Sequence, residues 1–279
     1  MEKILVTTDF SNHSKAGMRF AIQLAVRKDV ELIFFHCFQA LIPTTIHRER
    51  IEHAIQEQAQ VQLQNLEKFV ANLYKSMKIM AGPHRCVAVE SLDPEHAILH
   101  YAHHHAINYI CMSTRGAGTL MKMIGTNTSN VILKSPVPVL AVPHNYRVRP
   151  IQRILYASDL ENIQDEMPKV AAFAQSMRVP VDMAHFYYPG RIPLDKETLT
   201  AMWKQKHSSL DRVFLQQFQL DEGFADQLGA LVKRTSPSML VFFTQTNRTW
   251  FDKVFRVGRS EAFSFVTKKP MLVYRKSQK

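Results

Sequence analysis

The feature that most constrains this chain is an internal repeat. Lys3-Ile4-Leu5-Val6-Thr7-Thr8-Asp9-Phe10 returns as Arg153-Ile154-Leu155-Tyr156-Ala157-Ser158-Asp159-Leu160, each a basic residue, a strand-like run and an aspartate at its end. Glu31-Leu32-Ile33-Phe34-Phe35-His36-Cys37-Phe38 is echoed by Val181-Asp182-Met183-Ala184-His185-Phe186-Tyr187, and Pro138-Val139-Leu140-Ala141-Val142 by Pro270-Met271-Leu272-Val273-Tyr274. One match can be chance, but three in the same order mean that two halves share one plan. A chain of 279 residues fits two domains of roughly 100 to 200 residues, each able to bury its own core. The expected boundaries are 1–146 and 151–276, the second half being shorter in its middle.

Within the first half, period-two and fully apolar runs alternate with helical patterns. The reading is strand 3–8, helix 14–27, strand 31–38, a long helix 47–78, strand 85–90, helix 94–105, strand 107–113, helix 126–134 and strand 138–142. The long helix follows from Ile51, Ile55, Leu63, Leu66, Phe69, Val70, Leu73 and Met77, recurring at three- and four-residue steps as one apolar stripe. Ile107-Asn108-Tyr109-Ile110-Cys111-Met112 is largely apolar on both faces, as a parallel sheet covered by helices on each side requires. The expected class is α/β, with a doubly wound parallel sheet in each half.

Composition limits what such a fold can do. The apolar runs are far shorter than the roughly 18 residues that span a bilayer, and the amino terminus meets Asp9 within its first strand and lacks a signal-peptide layout. A cytoplasmic protein with no membrane partner is expected. The net charge of +11 is shared between the halves without a basic block, which suits small anionic ligands better than specific nucleic-acid recognition. Cys37, Cys86 and Cys111 lack paired spacing and read as buried free thiols.

In a doubly wound sheet the ligand crevice opens at the carboxyl ends of the strands. Three strand ends then converge: Asp9, Cys37, and Ser113-Thr114-Arg115-Gly116-Ala117-Gly118, with Gly125-Thr126-Asn127-Thr128 just before a helix. Glycines let backbone amides approach an anion, and a helix amino terminus adds unpaired N–H groups, so this is phosphate chemistry. Asp9 can accept from a base amine or ribose hydroxyl, or cap the following turn with Ser11. Arg115 can reach a phosphate or face solvent, and the glycines also suit tight turns. His96, His100, His103 and His104 share a helical face that suits a metal, but exposed amphipathic histidines explain them equally well, and no metal ligand is assigned. His36 and His185 read as rim histidines, and no catalytic residue is assigned.

These residues carry a resemblance. Ile4 to Phe10, His36-Cys37-Phe38, and the Arg115-Gly116 to Thr126 segment followed by Pro138-Val139-Leu140-Ala141-Val142 are similar to universal stress proteins of the tandem type. The resemblance covers nearly the whole chain. It implies two Rossmann-like domains, of the adenine nucleotide alpha hydrolase-like fold, in a pseudo-dimer. It also implies ATP, bound through a G-x-x-G pair, a gap and a G-[S/T] pair, with Mg²⁺ left open. By that resemblance Met112, Gly116, Gly125, Thr126, Asn127 and Thr128 line the phosphate and ribose side, and Asp9 and Cys37 the adenine side. Ser113 stands where the motif's first glycine falls, and the gap from Ala117 to Ile124 is one residue short.

The second half keeps Asp159 and Gly258-Arg259-Ser260, but reads Thr244-Gln245-Thr246-Asn247-Arg248-Thr249-Trp250-Phe251 where the glycine loop belongs. Trp250, Phe251 and Phe255 are suited to filling a crevice, so this half is expected to be degenerate. The function expected is that of a non-enzymatic, or at most slowly hydrolysing, adenine-nucleotide-binding stress protein. It would act through ligand-dependent assembly, a homodimer included, or through an unidentified protein partner. The alternative is a scaffold of the same fold with no nucleotide.

Overall fold

A computed structural model describes residues 1–42, 50–114, 126–190, 195–206, 209–244 and 268–276. Among them the chain divides into two compact units, the first ending at His144 and the second beginning at Asn145.

In unit one the elements are β1 (Glu2–Thr8), α1 (Lys15–Ala25), β2 (Val30–Phe38), α2 (Ile51–Met77), β3 (His84–Glu90), α3 (Pro94–His104), β4 (Tyr109–Thr114), α4 (Thr126–Lys134) and β5 (Val139–Pro143). The strands lie in the order β3-β2-β1-β4-β5, every neighbouring pair parallel. Val, Ile, Leu and Phe dominate β2 and β5, and Leu5, Ile33, Phe34, Ile110 and Leu140 have no exposed surface, because helices cover both faces. Unit two repeats the plan with β6 (Ile154–Ser158), α5 (Ile163–Met177), β7 (Val181–Tyr187), α6 (Lys196–Lys206), β8 (Leu210–Gln217), α7 (Phe224–Thr235), β9 (Met239–Thr244) and β10 (Met271–Arg275), in the order β8-β7-β6-β9-β10. The chain is therefore two tandem, doubly wound, Rossmann-like domains.

The register places the crevice. β1 pairs with β2 along its whole length, Glu2 opposite Val30 through Thr8 opposite His36. Its pairing with β4 covers only Ile4 opposite Tyr109 through Val6 opposite Cys111. Beyond Val6 and Cys111 the two strands part, at the point where strand order reverses, which is where ligands enter open α/β sheets. β6 and β9 part in the same way after Tyr156 and Val241.

Three expectations need correction. The apolar stripe of α2 is buried only at Leu66, Val70, Leu73 and Tyr74. A helix of 27 residues runs about 40 Å, longer than strands of seven to nine residues, and its first turns outrun the sheet. Residues 47–49 of the expected helix lie outside the described residues. The strand expected from Ile107 begins at Tyr109, because Asn108 is occupied in tying the strand start: its backbone N–H donates to the Lys3 carbonyl at 2.9 Å and its side chain accepts from the Lys3 amide at 2.8 Å. Of the thiols only Cys111 is buried; Cys37 and Cys86 are half-buried, the latter on β3 at the outer end of the strand order, where covering is thinner.

Candidate functional site

At the parting of β1 and β4 lies a cavity of about 250 Å³. Asp9, Cys37, Met112, Ser113 and Thr128 line it, joined by Thr7, Thr8, Ser11, His13, Ser14 and Phe35, with Pro94 and Ile98 of α3 closing one side. Five of the site residues expected from sequence thus converge. Arg115, Gly116 and Gly125 lie outside the described residues. Of Thr126 and Asn127 only the backbone is described, as the first turn of α4.

The turn from β1 into α1 is knitted by side-chain hydrogen bonds. Asp9 Oδ1 accepts from the Ser11 amide at 3.0 Å, the short-range turn of which aspartate is capable, so the capping role anticipated for Asp9 is present. Thr8 Oγ1 accepts from the Phe10 amide at 3.1 Å and shares a proton with Ser14 Oγ at 2.8 Å. Ser14 Oγ donates to the Ser11 carbonyl at 2.9 Å. Phe10 takes a left-handed φ of 62°, costly for a bulky residue. Its ring is held 4.2 Å from His36 and 5.4 Å, edge-on, from Phe69. His36 Nδ1 lies 2.9 Å from the Thr8 carbonyl, which can only accept, so Nδ1 carries the proton.

Ser113, in place of the motif's glycine, has turned its hydroxyl away to α1. It accepts from the Gly17 amide at 2.7 Å and donates to the Ser14 carbonyl at 3.1 Å. Gly17 is in the first turn of α1, where amides have no intrahelical partner, and Ser113 supplies one from another element. The approach is close: a Cβ on Gly17 would stand 3.0 Å from both the amide nitrogen and the hydroxyl of Ser113. Thr128 Oγ1 donates to the Ser113 carbonyl at 3.4 Å, tying α4 to the same strand end.

Cys37 Sγ points at the Ser91 carbonyl, 3.5 Å away. Burial, then the charges of Glu90 and Asp93, push its thiol above the ordinary cysteine range, so at neutral pH it is a protonated, weakly polar wall. Burial pushes Cys86 up to about 11 and raises Cys111 further. At the mouth, the exposed His13 meets His144 edge-on with ring centroids 5.1 Å apart, and burial followed by the His13 charge holds His144 below the usual histidine range.

Unit two reproduces the frame and sets a lysine on its aspartate. Glu161 N–H donates to Asp159 Oδ1 at 3.1 Å, Leu160 N–H to Ser158 Oγ at 3.0 Å, and His185 Nδ1 lies 2.9 Å from the Ser158 carbonyl, matching Ser11, Phe10 and His36. Leu160 has φ 65°, as Phe10 does. His144 N–H donates to the Thr114 carbonyl in unit one, and Lys276 N–H to the Thr244 carbonyl in unit two, so the two side chains hold equivalent posts. The Lys276 ammonium pairs with Asp159, and stands 3.7 Å from Glu161 and 3.5 Å from Glu166. Glu166 in turn accepts from the Tyr156 hydroxyl. Both Lys276 and Glu166 are nearly inaccessible to solvent. The residues expected to fill this crevice, Trp250, Phe251 and Phe255, lie outside the described residues, as do Gly258, Arg259 and Ser260. Lys276 was missed in the sequence because a lysine after a terminal strand looks like a solvated end. Gly17, Ser14 and His13 were missed because nothing local marks them.

No helix among the described residues is long and apolar enough to cross a membrane. No curated protein matches the chain. The crystal structure of a universal stress protein from Archaeoglobus fulgidus is similar to it over 99% of this chain and 98% of that one, with a TM-score of 0.69 at 17% identity. A functionally unknown protein from Pseudomonas aeruginosa is similar over 99% and 92%, with a TM-score of 0.53 at 13% identity. At such identities the likeness speaks for the fold. The sequence pattern of the universal stress protein family matches residues 1–143, which are all of unit one but its last residue, and the chain therefore belongs to the universal stress protein family.

Proposed function

We propose that unit one binds an adenine nucleotide in the cavity where β1 and β4 part, and that the protein acts in stress response through ligand-dependent assembly or partner binding. The observation that carries this reading is the meeting of Asp9, Cys37, Met112, Ser113 and Thr128 around one cavity of about 250 Å³. That volume is slightly under the roughly 300 to 1,000 Å³ of pockets that enclose a whole small ligand. Base and sugar fill it, and the phosphates extend along the first turn of α4, where the positive end of the helix dipole favours negative charge. Asp9 accepts from a ribose hydroxyl or the base amine, while the protonated Cys37 and Met112 give the base an apolar wall. Arg115, Gly116, Gly125, Thr126 and Asn127 belong to the phosphate side, and Mg²⁺ is an optional companion. The Lys276 ammonium on Asp159 supports a closed unit two and one nucleotide per chain.

Isothermal titration of ATP and AMP into the wild type and Asp9→Asn tests this. Asparagine can still accept from the Ser11 amide, so the turn survives. Loss of a hydrogen bond to a charged group, about 1.5–3 kcal/mol, predicts affinity lower by roughly ten- to hundredfold. Absence of binding by the wild type, or equal affinity in the two proteins, refutes the reading, and the former leaves the scaffold alternative.

A further inference from the structure

The exposed face of α3 carries a ladder of imidazoles that the nucleotide site does not use. His96, His100 and His104 recur at four-residue steps and all are exposed. Side chains so spaced lie one above another on a helix. The rings of His100 and His104 have centroids 4.1 Å apart and are tilted by 33°. His96 stacks on His100 at 5.7 Å, and His103 meets His104 edge-on at 5.0 Å.

One hydrogen bond fixes the tautomer of His104. His104 Nδ1 lies 2.8 Å from the His100 carbonyl oxygen. A carbonyl only accepts, so Nδ1 holds the proton and the lone pair is on Nε2. An Nδ1–H held by a backbone carbonyl with Nε2 left to ligate is how many metal-bound histidines stand; two rings on one ion have centroids about 5 Å apart, so the exposed His100 ring swings out of the 4.1 Å stack to share it. The helix itself is well anchored. Asp93 accepts from the His96 amide as its N-cap at 3.1 Å, and Glu95 pairs with Lys134 at 2.6 Å and accepts from Asn130 at 2.8 Å, both on α4. The opposite face is buried at Ala97, Ile98, Tyr101 and Ala102, so the backbone that spaces the two rings is held fixed.

We infer that His100 and His104 form a two-histidine site for a divalent transition-metal ion. Paired imidazoles suit zinc, copper or nickel, whereas magnesium and calcium prefer oxygen ligands. Among the described residues no group of three or more His, Cys, Asp or Glu converges as a metal cage, so water completes the coordination and the ion exchanges readily. This site is separate from the nucleotide reading and does not depend on it.

The test uses the untagged full chain, titrated calorimetrically with Zn²⁺ and Cu²⁺ and, as a control, Mg²⁺. Saturable binding of one Zn²⁺ or Cu²⁺ is expected, with none of Mg²⁺ at this site. Because the second imidazole acts as an intramolecular ligand, His100→Ala and His104→Ala should each weaken it by roughly a hundredfold, and His103→Ala by less than about threefold. The spectrum of bound Cu²⁺ should show nitrogen coupling that falls from two nitrogens to one in either of the first two variants. All three positions are exposed, and an unchanged circular dichroism spectrum checks that the fold is kept. No saturable binding, or full affinity in both His100→Ala and His104→Ala, overturns the inference.

Discussion

Gly17→Ala offers a prediction whose sign is opposite to that given by helix propensity. In an exposed helix, alanine in place of glycine is worth about 1 kcal/mol of stability. At Gly17 the new methyl would stand 3.0 Å from the Ser113 amide nitrogen and hydroxyl and 3.2 Å from the Met112 carbonyl carbon. Two of these are backbone atoms of β4, which pairs with β5 from Ile110 opposite Val139 through Thr114 opposite Pro143, so the strand has little room to retreat. Overpacking of this kind costs about 1–3 kcal/mol. Moving α1 away also lengthens the 2.7 Å bond from the Gly17 amide to Ser113, worth about 1 kcal/mol. With the propensity gain set against both, the net is a loss of about 1–3 kcal/mol. Urea denaturation followed by circular dichroism measures it as a lower midpoint at unchanged slope. Ser113→Gly removes the hydroxyl contact but not the backbone contacts, so in that background Gly17→Ala should cost less without becoming favourable. A Gly17→Ala protein as stable as the wild type, or more so, would show that β4 and α1 do not press on each other as described.

Two more outcomes follow from the charges. Lys276→Met breaks a buried ion cluster and should cost about 3–5 kcal/mol. Burial, ahead of every other cause, holds Glu166 above the ordinary glutamate range while Lys276 pulls it down; a raised acid contributes stability below its ordinary range and loses it as pH rises through the folded value, so the deficit of the variant should be larger at pH 8 than at pH 5. A deficit that does not change with pH counts against the cluster. His144 is depressed first by burial and then by His13, so its contribution to stability is present above the ordinary histidine range and is lost as pH falls through the depressed value. By NMR, His13→Ala should move the His144 midpoint upward, and an unmoved midpoint would separate the two rings electrostatically.

Much of the fold was legible in the amino-acid order, because periodicity is a local property. The apolar runs of β1, β2, β4 and β5 and the aspartates closing β1 and β6 announce buried parallel strands that end in a crevice. Asp9, Cys37 and Ser113 could be named as wall residues on strand-end position alone, and Met112 by the family resemblance. The reach of α2 could not be read, since its stripe has the right period over residues that the sheet is too short to cover. Nor could the use of Ser113, which depends on Gly17 standing across from it.

The sequence by itself determined the two-fold plan, the parallel strands and the strand ends at which a ligand can enter, since repeats and hydrophobic spacing need no knowledge of what lies opposite. Tertiary structure alone decided that the Ser113 hydroxyl serves α1, that the α3 imidazoles stack with one tautomer fixed, and that Lys276 stands on Asp159 where unit one has His144 beside His13. Each of these depends on groups far apart along the chain, or on side-chain directions, meeting within a few ångströms, and hydrogen bonds and ion pairs fall off over that distance.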